Sequence, residues 1–222
     1  MISYNLWHGR AQPELAALAQ AHDPDVLCVQ EARAATLPQR ISGMRLAVAT
    51  ASNRLGVAMY VKESRLRVER AQTFRLTTSR HDRLVGGTDH RMAGARVRDL
   101  LVGRDLVLGS FHATPFTDSN AVRRQQVDDA HAGLEKLGPG LPSVLAGDYN
   151  HPILLFMLGR HLRRQGLTLV RPPTGTFHKE RSLMRGKFDV AAVSQLVVTD
   201  AVTLPQAASD HKPVLFTMHY AG

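Results

Sequence analysis

Ser143-Val144-Leu145-Ala146-Gly147-Asp148-Tyr149-Asn150-His151-Pro152 lies between two stretches of helical character, and its reading decides the fold. Ser143 to Ala146 reads as a strand that ends at a glycine and delivers an acid and an amide beyond it. Upstream, Ser119 to Leu137 reads as a helix, with Val127, Ala130, Leu134 and Leu137 in phase and Gly138 as a stop signal. Downstream, a helix is expected over about Ile153 to Gln165, ahead of Gly166. Another starts at Pro13, a favoured first helical position, and carries Leu15, Leu18 and Ala19 on one face. Further strand-like runs are Ile2 to Leu6, Val26 to Gln30, Arg45 to Thr50, Gly56 to Val61, Leu106 to Phe111, Val190 to Val193, Val197 to Val202 and Val214 to Met218. Many strands with few amphipathic helices imply two sheets packed face to face, their outer faces covered by helices.

At 222 residues and 44% hydrophobic content the chain can bury a substantial core, and it reads as one domain over 1–222. No run approaches the roughly 20 apolar residues that span a bilayer. The chain opens on a strand-like run, with no charged region followed by an apolar one, so no secretory leader is expected. The single cysteine, Cys28, lies inside Val26-Leu27-Cys28-Val29 and reads as a buried small hydrophobe. One thiol excludes an intrachain disulfide and suits a reducing, cytoplasmic setting. The net charge of +9 and the basic run from Arg160 to Lys187, which includes Arg181 and Arg185, suit a polyanionic partner. A solvated basic face would look the same.

Acidic, amide and imidazole residues cluster at the ends of the strand-like runs, where scaffolds present chemistry. Asn5 either ends a strand or supports a metal ligand. Glu31, in Gln30-Glu31-Ala32, has the charge and hardness to bind magnesium. His112, in Gly109-Ser110-Phe111-His112, suits proton donation or a hydrogen bond to a phosphoryl oxygen, or a purely structural role. Period-two spacing would put Asp148 and Asn150 on one face, one accepting a proton and the other offering an amide. Asp189, in Lys187-Phe188-Asp189-Val190, could accept a hydrogen bond from His211 of Ser209-Asp210-His211 and so orient it as a base.

Taken in order, Asn5, Gln30-Glu31, the His112 strand, Gly147-Asp148-Tyr149-Asn150, Asp189 and Ser209-Asp210-His211 resemble the endonuclease/exonuclease/phosphatase superfamily over nearly the whole chain. The resemblance implies a four-layer α/β-sandwich, two packed, mostly antiparallel sheets flanked by helices. It also implies Mg2+, with Mn2+ as a possible substitute, held by Glu31 with Asn5 and Asp210. Asp148 and Asn150 would orient the attacking water, His211 would serve as base or phosphate clamp, and His112 would lie near the phosphate. Phe177 matches a family aromatic near the pocket, and Arg181, Arg185 and Lys187 would line its rim.

Departures narrow the choice of subfamily. The Cys-Asp-Arg run of inositol-phosphate phosphatases is absent, and Phe-Asp-Val replaces the more usual Leu/Ile-Asp-Tyr of abasic-site endonucleases. Unpaired Cys28 argues against a secreted pancreatic-type enzyme. The expected function is a phosphodiesterase acting on DNA or RNA through the backbone, with a membrane as the less favoured partner. A phosphatase, a sphingomyelinase-like lipid phosphodiesterase and an inactive nucleic-acid-binding module are the alternatives. Ile153 to Gly159, which reads as a buried helix, is the one segment that could serve a lipid.

Overall fold

A computed structural model describes residues 1–51, 55–79, 90–115, 117–151, 155–178 and 185–222. Its seven-stranded sheet runs β14 (Leu196–Thr203), β15 (Val214–Tyr220), β1 (Ile2–Asn5), β2 (Val26–Ala32), β5 (Gly56–Lys62), β4 (Met44–Ala49) and β3 (Arg40–Ile41). Its six-stranded sheet runs β10 (Thr168–Val170), β13 (Asp189–Ser194), β9 (Ser143–Asp148), β8 (Arg104–His112), β7 (His90–Asp99) and β6 (Leu66–Arg75). A small ribbon pairs β11 (Phe177–His178) with β12 (Arg185–Gly186). The helices are α1 (Leu15–His22), α2 (Asn120–Leu137) and α3 (Leu155–Arg163). Among the described residues none is long and apolar enough to cross a membrane.

Alternation along the central strands explains the layering. Cys28, Val144, Ala146, Ala191 and Val193 point between the sheets, where they meet Met59, Ala95, Leu108 and Phe216. Their neighbours Leu145, Val190 and Ala192 point outward under Val127, Ala130, Leu134 and Leu137 of α2 and Leu158 and Leu162 of α3. On the other sheet Leu27, Val29, Tyr4 and Tyr60 meet Leu15 and Ala19 of α1. Strands buried on both faces read as continuous apolar runs, which is why these were visible in the sequence. The result is the four-layer sandwich. Cys28 is one of the inter-sheet residues, and burial pushes its thiol up to about 12.

Each sheet is mainly antiparallel but contains a parallel pair, β1–β2 in one and β8–β9 in the other. Parallel neighbours end at the same edge. The register therefore sets Asn5 beside Gln30, His112 beside Asp148 and, through antiparallel β13, Asp148 beside Asp189. All these strand ends meet at one end of the sandwich.

Strands β6 and β7 have no counterpart among the runs read from the sequence. Leu66–Arg75 is studded with arginine and glutamate, and His90–Asp99 relies on Ala93, Gly94 and Ala95, all weak strand formers. Packing overrides that weakness. Gly94 pairs with Gly109 of β8, and a Cβ at Gly94 would come within 2.9 Å of the Leu137 side chain of α2. A second difference concerns α3. Its described part exposes Phe156 (65%) and Met157 (43%) and buries only Leu158 and Leu162, so this segment is not the buried helix expected.

Candidate active site

Glu31 owes its position to a β-bulge. The β2–β5 register shifts between Val29 and Ala32, and Glu31 there adopts a left-handed φ of 52°. Such a conformation costs a non-glycine residue roughly 1–3 kcal/mol and persists where the surroundings over-determine it. Here the His8 N–H donates to Glu31 Oε2 at 2.9 Å, from a turn in which Trp7 and His8 are themselves left-handed, at φ 46° and 55°. The Asn5 amide bridges Glu31 Oε1 (3.4 Å) and Asp148 Oδ2 (3.0 Å), while its side-chain oxygen accepts the Trp7 N–H at 3.0 Å. Asn5 as placed therefore holds two carboxylates together, with its side-chain oxygen turned to the Trp7 N–H.

Across from Glu31 sit two imidazoles. His112 Nε2 lies 3.8 Å from both Glu31 Oε1 and Asp148 Oδ2, and His211 Nε2 lies 3.7 Å from the same Asp148 oxygen. His211 Nδ1 is hydrogen-bonded to Asp189 Oδ2 at 2.8 Å. Phe177 and Phe188 wall this imidazole, with ring centroids 5.0 and 6.1 Å away. The backbone is held just as closely. Ser209 Oγ accepts the His211 N–H at 3.0 Å and donates to the Asn5 carbonyl at 2.7 Å. Thr176 Oγ1 accepts the N–H groups of Phe188 and Asp189 at 3.0 and 3.1 Å.

The electrostatics follow from burial and crowding. Burial disfavours the His211 cation, but Asp189, Asp148 and Asp210 outweigh it and push His211 up to about 10. Burial dominates at His112 and lowers it to about 4, against the pull of Glu31 and with help from Arg91 and His211. Burial also raises Asp148 and Asp189, the His211 charge opposing it. Glu31 goes the other way. Burial resists, but His112, the His8 N–H and His211 together lower it.

Asn150 joins the site by a route other than period-two spacing. β9 ends at Asp148, and Asn150 turns left-handed (φ 46°) so that its N–H donates to Asp148 Oδ1 at 2.8 Å, an Asx turn. Its side-chain amide donates to the Ala113 carbonyl at 3.1 Å. Asp210 is buried beside His211, and Phe177 serves as a wall of that imidazole. Lys187 is half-buried between β12 and β13. Arg181 lies outside the described residues. The Arg185 backbone pairs with His178, and its side chain lies outside the described part. Three residues escaped the sequence reading. Arg91 is buried and donates to the His112 and Ala113 carbonyls at 3.2 Å each, from a strand that carried no legible signal. Thr176 and Ser209 stood in quoted motifs, but nothing in their spacing indicated a bracing role.

The glycine before Asp148 is required by a backbone contact. A Cβ at Gly147 would stand 1.8 Å from the Phe111 carbonyl oxygen in the paired strand β8. Gly147→Ala should cost more than about 4 kcal/mol or leave the protein unfolded, as read by urea denaturation. A loss near 1 kcal/mol would show that β8 and β9 can part freely.

The donor set suits a hard divalent cation. Asp148, Asp189 and His211 place ligand atoms within 4.8 Å of one another, but His211 Nδ1 is already engaged by Asp189. Glu31 contributes a further carboxylate across the Asn5 bridge. Glu31, Asp148, Asp189 and Asp210 thus gather around His211, an oxygen-rich pocket of the kind a hard divalent cation takes.

The endonuclease/exonuclease/phosphatase family model matches residues 2–211. A search of curated protein sequences finds no match. Among solved structures, the mannosyl-6-phosphatase Bt3783 of Bacteroides thetaiotaomicron superposes with a TM-score of 0.75 at 18% identity, covering 99% of this chain and 98% of that one. D. rerio TDP2, complexed with single-strand DNA product, gives 0.76 at 15% identity, covering 98% and 97%. The human Nocturnin catalytic domain with bound sulfate gives 0.74 at 18% identity, covering 99% and 93%. Identities this low establish shared architecture alone. The family match carries the chemistry, because its members are phosphoric ester hydrolases that typically depend on a divalent metal. The chain belongs to the endonuclease/exonuclease/phosphatase family.

Proposed function

We propose that this phosphoesterase is a magnesium-dependent phosphodiesterase of nucleic acid, cleaving by in-line attack of an activated water. The observation that carries the chemistry is the convergence of two imidazole Nε2 atoms, of His112 and His211, on one oxygen of Asp148 at 3.8 and 3.7 Å. These gaps are too long for direct hydrogen bonds and suit a bridging oxygen. Asp148 Oδ2 takes the proton of the attacking water, its basicity raised by burial. His211, charged at neutral pH and oriented by Asp189, donates from Nε2 to a phosphoryl oxygen as charge accumulates there. His112, neutral at that pH, acts as a hydrogen-bonding partner of the phosphate. Asn150 braces Asp148, and Glu31 would hold the cation with Asn5 and Asp210 alongside. Magnesium, when bound, supplies charge stabilisation at the phosphate and leaving oxygen.

The net charge of +9 favours a long polyanion, reached through the backbone by Lys187 and by Arg181 and Arg185. TDP2 bound to a DNA strand favours the same class, while the mannosyl-6-phosphatase favours a small phosphate ester. A buried free thiol suits the cytoplasm. Single-stranded DNA, plasmid, RNA, mannose 6-phosphate and sphingomyelin, each with magnesium or EDTA, separate the substrates. Magnesium-dependent cleavage of the nucleic acids at rates exceeding the other esters is expected. Turnover confined to mannose 6-phosphate would make the protein a phosphatase.

A further inference from the structure

The reaction steps leave one charged patch unused. Arg124 of α2 and Phe156, Met157, Arg160, His161 and Arg164, on or just past α3, line a hollow of about 560 Å³. Five arginines elsewhere on this protein are neutralised, Arg40 by Glu63, Arg65 by Asp99, Arg67 by Glu69, and Arg96 and Arg98 by Asp105. Within the described residues Arg124, Arg160 and Arg164 make no ion pair. The adjacent carboxylate, Asp128, is engaged by His161 at 2.7 Å and Gln165 at 2.9 Å. Phe156 projects into the same patch, 65% exposed.

The position of the patch gives it meaning. Helix α2 follows the loop after His112, and α3 follows Asn150, so both start at the end of the sandwich where the site lies. The short segment between Asn150 and Phe156 spans roughly 20 Å at full extension, which places Phe156 within a few nucleotides of the reacting phosphate.

We infer that this patch is a subsite for single-stranded nucleic acid leaving the active site, with a base stacked on Phe156 and flanking phosphates held by Arg124, Arg160 and Arg164. The inference rests on the nuclease reading. Aromatic stacking beside a positively charged groove is how single strands are bound without sequence preference. An anionic membrane fits less well. The apolar side of α3 is spent on the core through Leu158 and Leu162, so among the described residues of this helix Phe156 and Met157 are left to insert, and stable membrane attachment takes more apolar area or a second anchor.

Fluorescence anisotropy of a labelled short oligodeoxynucleotide, in EDTA to prevent turnover, tests this. Phe156→Ser should weaken binding about tenfold. Arg160→Glu with Arg164→Glu should flatten the plot of log K against log salt by at least roughly 1.4, about 0.7 for each phosphate no longer neutralised. Both positions are exposed, and unchanged thermal unfolding would show that the variants fold. Unchanged affinity in both variants, with the wild-type protein still cleaving the oligonucleotide, would overturn the subsite and leave the nuclease reading standing. A wild-type protein that hydrolyses other phosphoesters but neither binds nor cleaves oligonucleotide would sink both. Flotation with phosphatidylglycerol vesicles that Phe156→Ser abolishes, with oligonucleotide binding intact, would reassign the patch to lipid.

Discussion

Asp189→Asn should reduce turnover on every phosphoester by about 10³–10⁴-fold, close to the loss from His211→Ala. Asp189 is fully buried, and its Oδ2 lies 2.8 Å from His211 Nδ1. Its carboxylate accepts the Nδ1–H hydrogen bond, fixes the ring's orientation and stabilises the cation that faces the phosphate. An asparagine keeps the volume but removes the charge, and it can present an N–H where the imidazole needs an acceptor. The same change has a signature in stability that a merely structural role would not produce. His211 is raised from its ordinary 6.5 to about 10 against the cost of burial, chiefly by Asp189. Its contribution to metal-free stability is therefore complete below about pH 6.5 and is lost as the pH rises towards 10. The slope is at most about 1.4 kcal/mol per pH unit for one proton. Urea unfolding in EDTA across that window should show the decline in the wild-type protein and a flatter profile in Asp189→Asn. Turnover within tenfold of wild type, or an unaltered slope, would remove Asp189 from its proposed orienting role.

The sequence disclosed those parts of the fold that local chemistry dictates. Doubly buried strands such as Val26–Ala32 and Ser143–Asp148 announce themselves as apolar runs. Helix α2 has both its phase and its ends written locally, with Ser119 accepting the Val122 N–H at 3.3 Å and Gly138 closing the far end. The β6–β7 pair was invisible because its stability comes from neighbours across the sheet and from α2 packed over Gly94, none of which are encoded nearby in the chain. The site divides the same way. Residue types at strand ends pointed to Glu31, Asp148, Asp189 and His211, yet their convergence depends on two parallel pairs, a bulge and an Asx turn. Those are long-range pairing events or backbone conformations that side-chain chemistry does not specify. Arg91 shows the limit most clearly. An arginine that props the His112–Ala113 backbone looks, in sequence, like any other arginine in a basic chain.

Glu31→Gln should cost about 10³-fold or more in kcat/KM and should weaken magnesium binding, with partial recovery at high magnesium. The bulge at β2 places a left-handed, conformationally costly residue where an ordinary strand would have pointed it elsewhere, and the His8 N–H holds it there. Glutamine keeps the shape and the His8 hydrogen bond but removes the charge, which a hard cation needs most. Binding can be read without turnover. A ligand that binds only the folded state stabilises it by about 2.7 kcal/mol at a hundred times its Kd, so magnesium should raise the unfolding midpoint of the wild-type protein and move that of Glu31→Gln much less at equal concentration. Asp148→Asn supplies the opposing arm. If Asp148→Asn abolishes the magnesium response and Glu31→Gln leaves it whole, the cation belongs among Asp148, Asp189 and His211, whose ligand atoms already lie within 4.8 Å of one another. His211 would then have to release Asp189 or turn Nε2 to the metal, and it could not also act as the charged clamp on the phosphate. The two arrangements are mutually exclusive, so the pair of midpoint shifts decides the role of His211 together with the location of the metal.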